Sequence, residues 1–175
     1  YDWSEFEIGL SLAAVGLGSA VSQALLTGYL IKRFGPMRAG MIGLITNAIA
    51  LLLFAFADAP WMAYAVIAVS AIGGVAMPAI NTITSTLTPR NAQGELQGAQ
   101  ASMMAFTLIF SPVLMTQTLQ FFATLPDSNP LQTGGAAFLL AAIITSLALI
   151  PFIIGVGINR RAIQAAEMSE AAAAE

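Results

Sequence analysis

The chain has 175 residues, 58% hydrophobic and only 9% charged, with six Lys/Arg, nine Asp/Glu and a net charge of −3. A soluble domain carries about a quarter charged residues, so this chain lacks the polar groups to cover a water-facing surface. Cysteine and histidine are both absent, which excludes disulfides, thiol chemistry, zinc sites and imidazole acid–base work; no enzyme activity, metal, cofactor or nucleic-acid partner is expected.

Charged residues are missing from 8–31, 39–57, 59–89, 96–126 and 128–159. A membrane-spanning helix needs about 20 mainly apolar residues, because the hydrocarbon layer is about 30 Å thick and each residue rises about 1.5 Å. Every run is long enough. None has the charged face of a soluble amphipathic helix, and none alternates as a strand would. The expected fold is all-α and integral to the membrane: five transmembrane helices over residues 1–159, then a cytoplasmic tail over 160–175.

The first helix, about 8–31, starts after Ser4-Glu5-Phe6-Glu7, where Ser4 and Glu7 have the spacing of a capping box. Gly16, Ala20, Ala24 and Gly28 recur every fourth residue on it, a small-residue face for helix packing. A Gly/Pro-punctuated loop with Lys32, Arg33 and Arg38 follows, then a second helix at about 39–57. Asp58 and Pro60 form a turn, with Trp61 placed for the membrane interface. The third helix, about 61–87, holds Gly73, Gly74 and Pro78, which mark either a bend or close packing. The fourth, about 96–124, holds Pro112 and begins with Gly94, Gly98 and Ser102 in a second small-residue repeat. After a polar loop comes the fifth, about 136–156, and a helix-prone, polar tail expected to fray.

With alternating helices, all six basic residues fall on one side: Lys32, Arg33 and Arg38 after the first helix, Arg90 after the third, Arg160 and Arg161 after the fifth. That side is expected to be cytoplasmic, with Arg90 and Glu95 as a charge pair there. The chain then starts outside, at Tyr1 rather than Met, and reads as cut from a longer protein with helices before Tyr1.

Amides in hydrocarbon need partners, so Gln23, Asn81 and Gln117 are expected to face the protein interior or water. For each, an interhelical hydrogen bond worth about 1 kcal/mol is the competing explanation. Polar positions on helices one, three and four outnumber those on two and five, which points to three helices around a polar cavity and two toward lipid. No acid or base lies well inside any run, so if the protein is proton-coupled the titrating group is expected upstream of Tyr1.

The stretches YDWSEFEIGLSLAAVG, GYLIKRFGPMRAG, GGVAMPAINTITS and QGELQGAQAS together resemble the C-terminal half of major facilitator superfamily transporters, specifically drug/proton antiporters of the tetracycline-resistance type. The resemblance implies a twelve-helix inner-membrane transporter, of which helices eight to twelve are present. It also implies alternating access around a cavity lined by helices seven, eight, ten and eleven. The implied partners are a small amphiphilic drug-like substrate such as tetracycline, protons, the bilayer and the missing N-terminal half. Gly28, Lys32, Arg33, Gly35 and Arg38 match the family's cytoplasmic loop between helices eight and nine; Arg33 and Arg38 would help close that side. Lys32 stands where the first copy of the loop usually has Asp. Asn81 stands where tetracycline exporters commonly show Gln, and Ser111 where they commonly show Gly. The expected cavity residues are therefore Gln23, Asn81, Gln117 and Ser111, with bending at Gly74, Pro78 and Pro112. A nutrient or metabolite importer on the same fold, and a non-transporting membrane scaffold, are the alternative readings.

Overall fold

The computed structural model describes residues 4–57, 59–124 and 135–173. Asp58 and the polar connection at 125–134 lie outside the described residues. The described chain is all-α: α1 (Glu5–Val21), a π-helical turn (Ser22–Thr27), α2 (Gly28–Ala55), α3 (Pro60–Gly73), α4 (Ala76–Leu87), a 3-10 turn (Arg90–Ala92), α5 (Gln93–Ala123) and α6 (Gly135–Ala173). Four helical stretches are long and apolar enough to cross a membrane: Glu5–Ala55, Trp61–Leu87, Arg90–Ala123 and Gly135–Ala165.

The capping box forms. The Ser4 hydroxyl accepts from the Glu7 N–H at 3.3 Å, and the Glu7 carboxylate accepts from the Ser4 N–H at 2.8 Å, satisfying two orphan donors at the helix start. From there the chain stays helical far longer than one crossing requires. The expected loop between the first two helices is reduced to a single residue, Gly35, at φ 76° and ψ 159°, a conformation open only to glycine. Pro36 then begins the next helical limb, where its missing N–H costs nothing. Gly35 thus divides the stretch into limbs about 45 Å and about 30 Å long, each enough for one crossing.

One of the remaining helices breaks at the Gly73–Gly74 pair marked in the sequence, and another ends later than expected. The third helix is interrupted: α3 ends at Gly73 and α4 starts at Ala76. At the other end, α6 does not fray after residue 156 but continues to Ala173. Its C-terminal part is rich in Ala, Arg, Gln and Glu with no Gly or Pro to stop it, and Ile163, 1% exposed, docks it against the bundle.

Neighbouring pairs give the direction of each segment. Gly18 lies beside Ala71 and Ser22 beside Gly74, while Leu26, Leu30 and Ile31 pack against the cluster of Ala39, Val75 and Ala79. The two numberings rise together, so α1 and α3–α4 run parallel. Gly40 lies beside Ala79, Gly43 beside Ala76 and Asn47 beside Gly73, so the second limb of α2 runs opposite to both. Gln93 meets Ser85 and Thr88, and Gln100 meets Asn81 and Thr84, which makes α5 antiparallel to α4. Gly40 also touches Phe152 of α6, while Arg38 and Arg160 line one cleft. The five segments therefore alternate, and all six basic residues gather toward one end of the bundle.

The second limb of α2 is the hub, packing on α6, α3 and α4, whereas α5 packs chiefly on α6. The core is built from small side chains, among them Ala39, Ala50, Ala76 and Ala79. At Gly43 the α2 and α4 backbones approach so closely that a Cβ would lie 2.5 Å from the Ala76 nitrogen. The small-residue faces expected to pack are open among the described residues: none of these lies within 4 Å of where a Cβ would stand on Gly16, Gly28, Gly94 or Gly98. Close packing falls instead on Gly40, Gly43 and Gly73.

Candidate functional site

In a helix deprived of water, a hydroxyl satisfies itself most cheaply on the carbonyl one turn back. Thr82 donates to the Pro78 carbonyl at 2.9 Å, Thr88 to Thr84 at 2.7 Å, Ser102 to Gly98 at 2.9 Å and Thr107 to Met103 at 2.9 Å. These groups need no partner elsewhere, so much of the polar excess on the third and fourth helices is locally satisfied. The amides cannot do this within one helix so readily, and they mark the site.

α4 has two faces. Ala76, Ala79 and Ile83 are buried toward α2, while Gly74, Met77, Asn81 and Ser85 are exposed along one stripe. The helix carries one side into the core and turns its polar side away from it. Across that open side Gln100 of α5 reaches back. Its Nε2 donates to Asn81 Oδ1 at 3.4 Å and to Thr84 Oγ1 at 3.3 Å, long contacts for hydrogen bonds. One level nearer the basic end, Gln93 Nε2 donates to the carbonyls of Ser85 and Thr88, both at 2.9 Å, occupying acceptors that the end of α4 leaves free.

The other expected residues are not brought to this cluster. Gln117 lies about 26 Å along α5 from Gln100 and lines an apolar cleft between α5 and α6 with Phe121, Leu139 and Ile143. Ser111 is half-buried and Pro112 sits inside the uninterrupted α5. Gln23 is exposed within the π-helical turn. Its neighbour Ser22 is the group that turns inward: fully buried, with Oγ lacking a hydrogen-bond partner among the described residues. Ser22 faces the α3–α4 interruption, where a Cβ on Gly74 would stand 3.5 Å from its Oγ. The wide turn is stabilised by Thr27, whose hydroxyl donates to the Ser22 carbonyl at 3.1 Å. Pro78 falls in the first turn of α4, so the bond it cannot make would have crossed the interruption.

At the basic end Arg33 is held on its own helix. It donates to the Tyr29 hydroxyl, and its guanidinium lies 5.6 Å from the Tyr29 ring and 5.7 Å from the Phe34 ring, within cation–π range. Lys32 is exposed. Arg38, past the break, turns instead to the cleft between α2 and α6. Among the described residues the expected Arg90–Glu95 pair is not formed.

The sequence that builds these alternating apolar helices has relatives. The sequence pattern of the Major Facilitator Superfamily matches residues 1–172. The chain belongs to the major facilitator superfamily. Within that superfamily it is similar to the tetracycline resistance protein, class C, of Escherichia coli: 35% identical over 140 residues, covering 80% of this chain and 35% of that protein. It is 36% identical over 116 residues to the class G protein of Vibrio anguillarum, covering 66% of this chain and 30% of that one. The class H protein of Pasteurella multocida is 30% identical over 150 residues, 86% of this chain and 36% of that one. The chain thus spans about a third of the length of these relatives. No solved structure gives a significant match.

Sequence reasoning about this superfamily chain missed Gln100 and Ser22. Gln100 carried a usable signal, an amide inside a charge-free run. Ser22 carried none, because the π-helical turn shifts the register and decides which of Ser22 and Gln23 points inward.

Proposed function

We propose that this chain is the C-terminal half of the membrane domain of a proton-coupled exporter. It would expel a small, amphiphilic, tetracycline-like compound across the inner membrane by alternating access, with the basic end cytoplasmic. The observation that carries the reading is the Asn81–Gln100–Thr84 cluster: the only amide pair bridging two helices among the described residues, on the open side of α4. Loose bonds between polar groups that face away from the core are readily exchanged for bonds to a ligand. The tetracycline resistance relatives named above support the choice of cargo.

In this reading, Asn81, Gln100 and Thr84 offer donors and acceptors to the substrate, while Met77 supplies adaptable apolar contact. Gln23 and Ser111 line the same aqueous path at other depths, whereas Gln117 belongs to the apolar cleft between α5 and α6. The interruption at Gly74–Val75, with Pro78 after it and the π-helical turn opposite, lets α4 and α1 bend together as the halves rock. Gly28, Lys32, Arg33, Gly35 and Arg38 form the cytoplasmic closure. Ligand and proton shift the balance between inward- and outward-open packings. No acid lies within the charge-free runs of these helices to take the proton, so its acceptor would lie in the other half.

The test is tetracycline accumulation in cells producing the full-length protein, with Asn81→Leu and Gln100→Leu beside it. Wild type should lower accumulation, and both variants should raise it at equal membrane abundance. Wild-type cells that accumulate the drug like empty cells would refute the cargo; variants that export normally would refute the site.

A further inference from the structure

We propose that the seam between α2 and α6 is a binding site for an anionic phospholipid, with its phosphate held by Arg38 and Arg160. The seam opens at the basic end into a cleft of about 500 Å³, lined by Arg38, Arg160 and Gln164 and by the apolar Phe34, Met41 and Ile153. Two guanidinium groups line one cleft, and among the described residues neither has a carboxylate or any hydrogen-bond acceptor as partner. Like charges held together repel, and an oxyanion between them reverses the sign of that interaction. Phosphate suits the fork geometry of paired guanidiniums.

The apolar half of the ligand is also specified. Farther along the same seam lies a second cleft of about 350 Å³, lined by Ile49, Leu52, Ile143 and Leu147. On the second limb of α2 the lining residues 38, 41, 48, 49 and 52 follow one helical stripe, and on α6 the residues 164, 160, 157, 153, 146 and 143 do the same. The two clefts therefore lie in line along one seam, together spanning about 20 Å from the arginines toward the middle of the apolar region. That exceeds the roughly 15 Å of a single hydrocarbon leaflet. A groove cationic at the membrane edge and apolar for the depth of a leaflet fits a headgroup with its acyl chain. Free phosphate would use only the first part. The position also fits the electrostatics of a basic pocket at a cytoplasmic leaflet rich in anionic lipid. The proposal stands apart from the transport cargo, because Asn81 and Gln100 do not line this groove.

The experiment is native mass spectrometry of the purified full-length protein with phosphatidylglycerol, phosphatidylcholine or inorganic phosphate added. Wild type should retain one phosphatidylglycerol at collision energies that strip phosphatidylcholine. The Arg38→Gln/Arg160→Gln double variant should lose at least about tenfold of that retention, as expected for removing two charge-assisted contacts. Arg90→Gln, a basic residue of the same end outside the groove, should retain the lipid. Equal retention of the two lipids, retention unchanged in the double variant, or displacement of phosphatidylglycerol by millimolar phosphate would each overturn the proposal. If the double variant fails to fold, a photoactivatable phosphatidylglycerol with the reactive group in its acyl chain decides on wild type. Cross-links at Ile49, Leu52, Ile143 or Leu147 support the groove, and cross-links elsewhere alone refute it.

Discussion

Gln100 on α5 reaches Asn81 on α4, bonding Nε2 to Oδ1 at 3.4 Å across nineteen positions of sequence. The pair ties the otherwise sparsely packed α5 to the bundle core on the side that α4 leaves open. If the tie is a hydrogen bond between helices, Asn81→Ala and Gln100→Ala should each cost about 1 kcal/mol of stability, and the double variant little more than either alone. Thermal unfolding of the four proteins in detergent gives that cycle. Strict additivity would mean that the two amides act independently.

Gly35 carries the turn between the two limbs of the first helical stretch. Its φ of 76° with ψ of 159° is closed to side chains, so Gly35→Ala should destabilise by about 1–3 kcal/mol. Asn should not rescue it, since this ψ lies outside the left-handed helical region that Asn tolerates. A melting temperature unchanged by Gly35→Ala would show that the break sits at another residue.

Gly43 and Gly98 make a matched pair. A methyl group on Gly43 would meet the Ala76 backbone, whereas one on Gly98 would meet nothing within 4 Å. Gly43→Ala should therefore lower the melting temperature, while Gly98→Ala should hold it or raise it, with a gain in stability of up to about 1 kcal/mol through better helix propensity. The opposite ranking would contradict the packing of α2 on α4.

These cases show what the sequence could and could not reveal. The helical runs were legible because charge is so scarce that its placement brackets each crossing, and the capping box at Ser4 and Glu7 was legible because it is local. The sites of close helix contact were not. Gly16 and Gly43 look alike in sequence, and only the fold decides that one faces open space and the other a backbone. The same holds for the amides. Asn81 was picked out by its polarity, but its partner Gln100 depends on how α5 crosses α4. Gln117, equally polar, lies far from both. The continuation of α6 to Ala173 follows from composition, yet a polar, charged segment after a membrane crossing looks the same whether it frays or docks through Ile163.

Ser22 separates stability from function. Its buried hydroxyl lacks a partner, so Ser22→Ala should leave stability unchanged or raise it by about 1–3 kcal/mol. Should the hydroxyl find a partner when α1 and α4 bend, the same variant would slow export while being more stable. Comparing melting temperature with export rate resolves the two. A clear loss of stability would show that the hydroxyl is bonded after all.

The alternating path of the chain and the proposed cytoplasmic placement of its basic end are open to one direct measurement. The chain has no cysteine of its own, so Met37→Cys and Trp61→Cys can be placed one at a time in a full-length protein otherwise free of cysteine and exposed in intact cells to a membrane-impermeant maleimide. Trp61→Cys should label from outside, and Met37→Cys only after the inner membrane is permeabilised. Labelling of Met37→Cys from outside, or equal labelling of both, would contradict the arrangement.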